Sequence, residues 1–299
     1  MFKGILAPLI VAKSNFSKWH RNLRIIVCFV FAFITCFLLS DKVVDFAKQF
    51  GTTMQLVEPF IWVFGDSNSI LLISVLLIFL FMDMPFITPA TPLFLMRTNR
   101  TRWMVGQFLY IIAATFIFLA FVLLSTILLC GRYCFIGDKW SPTAAILGYG
   151  NNNQNVVLPV MLKTLEMSFP YRTMITIFLL MLMYSLVLVF IMLFFNIRFG
   201  QRASFISAFA FSVYGMLLNP ETIKKVLGIS EEMMYKANVA VGWLSPLNHA
   251  TYHMHNFGYD RLPTLTDTAL IFIGLLAVLF ILSSVAMKKY NFNFTGTEK

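Results

Sequence analysis

Charge is what this sequence has least of. Only 12% of its 299 residues are Asp, Glu, Lys or Arg, against about 25% in a soluble domain, which excludes a water-soluble globular fold. No Gly-x-x-x-x-Gly-Lys-Ser/Thr occurs, so the chain cannot cradle ATP phosphates by that route. There is no His-Glu-x-x-His for a zinc protease, and no arginine ladder for a voltage sensor. Acids at membrane depth are almost missing, Asp83 being the only one placed within a predicted span. A proton- or sodium-driven carrier needs more ionisable groups there. If the chain serves a pump, the driving force comes from another subunit. Four cysteines are present, with no second pair to complete a structural zinc site. Cys28 and Cys36 fall within a span. For Cys130 and Cys134, with Gly131 between them, spacing alone leaves a disulfide and free thiols both open.

What the sequence has is apolar length. It is 59% hydrophobic, with 33 Phe and 17 Met and a mean hydropathy of +0.79. The Phe and Met read as lipid-facing and packing residues. The apolar residues gather in runs of roughly 18 or more, long enough to cross a bilayer as helices. The expected fold class is an all-α integral membrane protein, a single transmembrane domain over 1–299. Spans are predicted over 23–40, 68–86, 104–129, 173–195, 203–218 and 268–287. The net charge of +10 does not point to nucleic acid, because the basic residues cluster in short loops on one side. Lys3, Lys13, Lys18, Arg21, Arg24, Arg97, Arg100, Arg102, Arg198, Arg202, Lys288, Lys289 and Lys299 fall on the face read as cytoplasmic. The rest are diluted over longer outer loops that hold most of the acids. This orientation puts both termini in the cytoplasm of a cell, read as bacterial, with the chain multi-pass in its plasma membrane.

Taken in order, residues 1–22 are amphipathic. Phe2, Ile5, Leu6, Leu9, Ile10, Phe16 and Trp19 recur near helical spacing, opposite Lys3, Lys13, Ser14, Ser17, Lys18 and Arg21. That is the pattern of a helix lying in the membrane interface, with a kink or late start expected at Pro8. No small-residue cleavage site follows, so the first apolar run reads as a retained span and not a secretory signal. In the outer segment 41–68, VVDFAKQF reads as a short surface helix. Between the second and third spans lies ITPATPLFLMRTNRTRW, 87–103, with three arginines and no acid. Pro89 and Pro92 bar a regular helix in its first half. Leu93–Trp103 has no breaker and reads as a basic helix along the cytoplasmic face, able to carry a push from a soluble partner into the bilayer. A long outer loop, 130–173, includes GYGNNNQN, 148–155, which reads as loop. In 219–266, NVAVGWLSPLNHATYHM is apolar with breakers at Gly242 and Pro246, the mark of a re-entrant or half-inserted hairpin.

Asp83 reads as a carboxylate paired with Arg97, Arg100 or Arg102. It is either a plain interfacial ion pair or a latch between the second span and the basic helix. His249, His253 and His255 read as polar residues of the outer hairpin; their spacing also admits a metal, although no acid sits within the motif.

The amphipathic first helix, the six spans, the basic helix and the broken hairpin together resemble the permease subunits of type-two ABC exporters. PFITPATPLFLMRTNRTRW is similar to that family's coupling-helix loop, and WLSPLNHA to its outer hairpin before the last span. The resemblance implies a half-transporter that dimerises with a second six-helix permease, identical or related. Separate cytoplasmic ABC ATPase subunits would hold Mg-ATP, and this chain would bind no cofactor. It implies a coupling helix carrying Leu93, Phe94, Arg97, Arg100, Arg102 and Trp103, a connecting helix over 1–22, and an outer hairpin carrying Trp243, Ser245, Pro246 and His249. The implied cargo is hydrophobic or amphipathic, with a small or antimicrobial peptide the first expectation. A non-transporting scaffold or sensor subunit, and a metal-dependent membrane enzyme, are the alternatives.

Overall fold

The computed structural model describes residues 2–17, 19–85, 91, 95, 99–149, 160–228 and 230–290, without the side chains of 2–6 and 227. In chain order come α1 (Phe2–Phe16), α2 (Leu23–Phe50), β1 (Met54–Gln55), α3 (Glu58–Phe64) and α4 (Ser67–Leu80). Next are α5 (Arg100–Cys130), β2 (Cys134–Phe135), α6 (Pro142–Tyr149), α7 (Leu162–Met167) and α8 (Pro170–Phe199). The chain closes with α9 (Gln201–Leu217), α10 (Pro220–Leu227), α11 (Met234–Leu244), α12 (Pro246–Ala250) and α13 (Leu265–Lys288).

The protein is an all-α membrane protein, as its apolar runs dictate. With no water in the hydrocarbon, backbone groups must bond within their own segment. Among the described residues, α2, α5, α8 and α13 are each long and apolar enough to cross alone. Two further crossings need bent pairs, α3 with α4 at 84° and α9 with α10 at 86°. The predicted span 68–86 is therefore shorter than expected. Gly65 closes α3 through its N–H on Ile61, and Asp66 restarts the chain by capping Asn68. The helix then ends at Leu80, leaving Asp83 in the turn beyond. The first span is longer than expected. No Gly or Pro interrupts 40–50, and Val43, Val44, Phe46 and Ala47 continue its buried stripe. VVDFAKQF is thus the end of α2 and not a separate surface helix. At 28 residues α2 measures roughly 42 Å, longer than a hydrocarbon core of about 30 Å. It stops where Gly51 takes a φ of 62°.

The core lies along α8, which packs against α3, α4, α5, α9, α12 and α13. α1 is seated on α5, with Pro8 inside the helix. A methyl at Gly106 would stand 2.7 Å from Val11 Cβ and 2.8 Å from the Pro8 carbonyl, so only glycine permits this approach. Beside it Asn15 Nδ2 donates to Gln107 Oε1 (3.0 Å), and Trp19 Nε1 donates to the Tyr110 hydroxyl (2.8 Å).

The bundle has two unlike ends. A basic end carries Arg24, Arg100, Arg102, Arg198, Arg202 and Lys288. The other, here the loop end, is more built than the sequence suggests. β1 and β2 pair in parallel, Met54 with Cys134 and Gln55 with Phe135. Glu58, fully buried, accepts from the Gln55 and Ser141 backbone N–H groups and from the Ser141 hydroxyl. The Trp62 and Trp140 rings stack at 5.3 Å. All four cysteines are free, and the Cys134 thiol donates to the Cys130 carbonyl. Of the expected loop 148–155, Gly148 and Tyr149 end α6, and the remainder lies outside the described residues.

Removing the buried Glu58 carboxylate strands two backbone donors and a hydroxyl. Glu58→Ala is expected to cost about 3 kcal/mol and Glu58→Gln less, read as the shift in thermal unfolding midpoint of the detergent-solubilised protein. An unshifted midpoint in Glu58→Ala shows that the carboxylate does not hold this end together.

Candidate functional site

The basic end gathers the groups that tie separate spans together. Asn22 caps α2 by accepting from Arg24 N–H, which sets Arg24 in the first turn. Because α4 stops at Leu80 and packs on α2, the turn after it brings Asp83 to Arg24. Arg24 Nη1 lies 2.6 Å from Asp83 Oδ2, with Arg24 22% and Asp83 51% exposed. Gln201 Nε2, at the first residue of α9, donates to the other carboxylate oxygen at 3.3 Å. One residue on, the Met84 carbonyl accepts from Asn196 Nδ2 of α8. A carboxylate set beside the first turns of α2 and α9 also faces the positive ends of two helix dipoles.

The start of α5 is tied in the complementary way. Arg100 Nη1 donates to the Lys288 carbonyl (2.9 Å) and the Tyr290 carbonyl (3.0 Å) at the C-terminus of α13. A guanidinium there satisfies terminal carbonyls and opposes the dipole's negative end. Trp103 is buried at 1% exposure, while Arg100 and Arg102 are exposed. Thus the Asp83–Met84 turn holds α2, α8 and α9, Asp83 through Arg24 and Gln201 and Met84 through Asn196, and Arg100 holds α5 to α13.

Asp83, past the helix end beside α2, pairs with Arg24, an arginine outside the set expected for it; of that set, Arg97 lies outside the described residues. Arg100, Arg102 and Trp103 belong to the first turn of α5, which Asn99 opens, rather than to a separate helix over 93–103. Leu93, Phe94 and Arg97 lie outside the described residues. Sequence reasoning missed Arg24, Gln201 and Asn196 as members of this cluster. The one available signal was depth: Arg24 and Asp83 fall at matching distances from the same ends of adjacent spans.

The expected hairpin breaks at Ser245–Pro246, between α11 and α12. Gly242 lies inside α11 and gives room for Leu262, whose Cδ2 a methyl would meet at 2.5 Å. Ser245 is fully buried; its hydroxyl donates to the Gly215 carbonyl (2.8 Å) and accepts from Asn248 N–H. Pro246 is buried, and half-exposed Trp243 donates to the Arg261 carbonyl. His249 is buried between Thr268 Oγ1 (2.8 Å) and the Trp243 carbonyl (3.0 Å). His255 lies between the same hydroxyl (3.0 Å) and the Tyr252 carbonyl (3.1 Å). Burial pushes both imidazoles below the ordinary histidine range, His255 to about 4. His253 is held down by burial too, beside Lys163, whose charge adds to the effect, and Asp66, whose charge opposes it. Among the described residues no three His, Cys, Asp or Glu converge to hold a metal ion.

No family model, curated protein or solved structure matches this chain.

The Arg24–Asp83 pair is open to a direct check. Arg24→Gln and Asp83→Asn are each expected to lower stability by about 1 kcal/mol. The exchange Arg24→Asp with Asp83→Arg is expected to regain part of that. Additive losses in the exchange variant, measured by thermal unfolding, show that the two side chains do not interact.

Proposed function

We propose that this chain is the membrane-spanning subunit of an ATP-driven exporter, a permease of the type-two ABC kind. It crosses the bilayer six times, with α3–α4 and α9–α10 each serving as one bent crossing. The basic end and both termini face the cytoplasm, and the loop end faces out. The observation that carries this reading is the cross-linking of the basic end. The segment 87–103 is bounded by the Asp83 turn, joined to α2, α8 and α9, and by Arg100, joined to α13. A displacement of that segment reaches most of the spans without passing through the lipid, which suits rigid-body switching.

The motor is a separate ABC ATPase holding Mg-ATP, docked on 87–103 through Arg97, Arg100 and Arg102. A second six-helix permease, identical or related, completes the path. The thinly covered apolar faces of α2 and α13, with Phe31, Phe37, Leu270 and Ile281 exposed, are open to that partner and to lipid. The cargo is a hydrophobic or amphipathic molecule, which the apolar spans suit, with a small peptide placed first by analogy with such exporters. Asp83 acts as the latch: its ion pair passes movement from the segment after it to α2. A histidine-based metalloenzyme is disfavoured, because His249 and His255 spend their ring nitrogens on carbonyls and one hydroxyl.

Charge reversal of Arg97, Arg100 and Arg102 to Glu is expected to abolish co-purification of a cytoplasmic ATPase while the unfolding midpoint still shows a folded chain. Retention of the ATPase by that folded variant contradicts the docking. In the intact complex, Asp83→Asn is expected to lower cargo-dependent ATP turnover about tenfold, equivalent to about 1.4 kcal/mol. Turnover unchanged in that variant makes the ion pair structural only.

A further inference from the structure

The contacts around Thr268 are one proton short. Two buried imidazoles and one buried hydroxyl, His249, His255 and Thr268, meet in four polar contacts. His249 Nε2 faces the Trp243 carbonyl and His255 Nδ1 faces the Tyr252 carbonyl, with the Thr251 carbonyl also acting on the His255 ring as an acceptor. A carbonyl only accepts, so each of those nitrogens bears its ring's proton. In the neutral rings the other nitrogens, His249 Nδ1 and His255 Nε2, are then lone-pair acceptors. Both point at Thr268 Oγ1, at 2.8 and 3.0 Å. That hydroxyl has one hydrogen and can give it to one ring only. Four contacts need four protons, and the neutral groups supply three. One more proton, on whichever ring the hydroxyl does not serve, turns the remaining lone-pair contact into an N–H donating to Oγ1.

We infer that His249, Thr268 and His255 form a one-proton binding site that latches the broken hairpin to the last span. The added proton resides on one ring nitrogen and is shared with Oγ1; no other bond is made or broken. With it bound, α12 and the turn after it are held to α13 through both rings. Without it, one contact is repulsive and that side loosens.

The surroundings set how readily the proton enters. Burial opposes it at both rings, and the two imidazoles oppose each other's charge, which limits uptake to one. Lys163 of α7, itself paired with Asp260, acts against a proton on His255. His253 is turned to the Gly65 carbonyl, near Asp66 and Lys163. Asp267 of α13 is engaged in the helix cap with Thr264. The Phe272 ring meets His249 edge-on at 5.9 Å. Among the described residues, α4, α8, α9 and α11 bring no acid or base into the interactions of either ring. Desolvation and proton deficit therefore oppose each other, and uptake belongs below the ordinary histidine pKa of about 6.5.

The test is a side-chain 15N NMR titration of histidine-labelled protein in lipid nanodiscs from pH 7 to pH 2.5, with His20 and His253 assigned by their Gln variants. One ring of the pair is expected to become an imidazolium while its neighbour stays neutral. Amide exchange over 246–256, corrected for intrinsic rates, is expected to slow across the same step. Thr268→Ser keeps the step; Thr268→Val moves it about one pH unit lower, a tenfold change in proton affinity. Rings that both stay neutral to pH 3, rings that both charge together, or a folded Thr268→Val variant that titrates as wild type would overturn the inference. The wild-type titration stands without any variant, and none of these outcomes depends on transport.

Discussion

Exclusion of water from the hydrocarbon governs the rest of this structure. Every backbone group at membrane depth must be bonded inside its own helix, so the spans have little left with which to communicate except packing. With Tyr184 of α8, set beside Ser74 of α4 and Ser212 of α9, an exception at mid-span, most polar side chains that join one span to another lie at the two ends. The protein uses them differently there. At the basic end single side chains reach across helix termini, Asp83 to Arg24 and Gln201, Arg100 to the last carbonyls of α13. At the loop end a buried network does the work, with Glu58 holding β1 to the segment before α6 and Thr268 holding the hairpin to α13.

That division explains how much of the fold was legible in the sequence. The apolar runs located α2, α5, α8, α9 and α13 because hydrophobic length is a local property. Asn219–Pro220 marked the end of α9, and Ser245–Pro246 the break in the hairpin, because each proline acts on its own residues. What was not legible depends on residues far apart in the chain. The continuation of α2 past Ser40 follows from a stripe that needs α3 and α5 to bury it. The bend at Gly65 places all of α3 against the core, which no run length reveals. Glu58 looked like one more acid of an outer loop, and only the arrival of Ser141 makes it a buried anchor. Asp83 was recognised as an interfacial acid, yet Arg24, in the first turn of α2, was not among the partners expected for it.

The two ends also bear on the proposed transport cycle. Close packing stiffens the bundle toward both ends: α1 is locked to α5 at Gly106, near the basic end, and α9 meets the hairpin at Gly215, near the loop end, where a methyl would stand 2.8 Å from Leu247 Cβ. Interfaces this tight move as bodies rather than deform. Force delivered at the basic end therefore has to appear at the loop end as a shift of whole helices. The hairpin, hung between α9 and α13 by Ser245 and the two imidazoles, is the part placed to respond.

The central claim is that force enters at a basic end facing the cytoplasm. Cysteine accessibility in intact cells tests it most directly, with Arg100→Cys and Ile136→Cys placed singly in a chain whose four native cysteines are replaced. A membrane-impermeant maleimide is expected to label position 136 from outside and to reach position 100 only after the membrane is opened. Labelling of position 100 from outside in sealed cells contradicts the orientation, and with it the site at which a cytoplasmic ATPase would push.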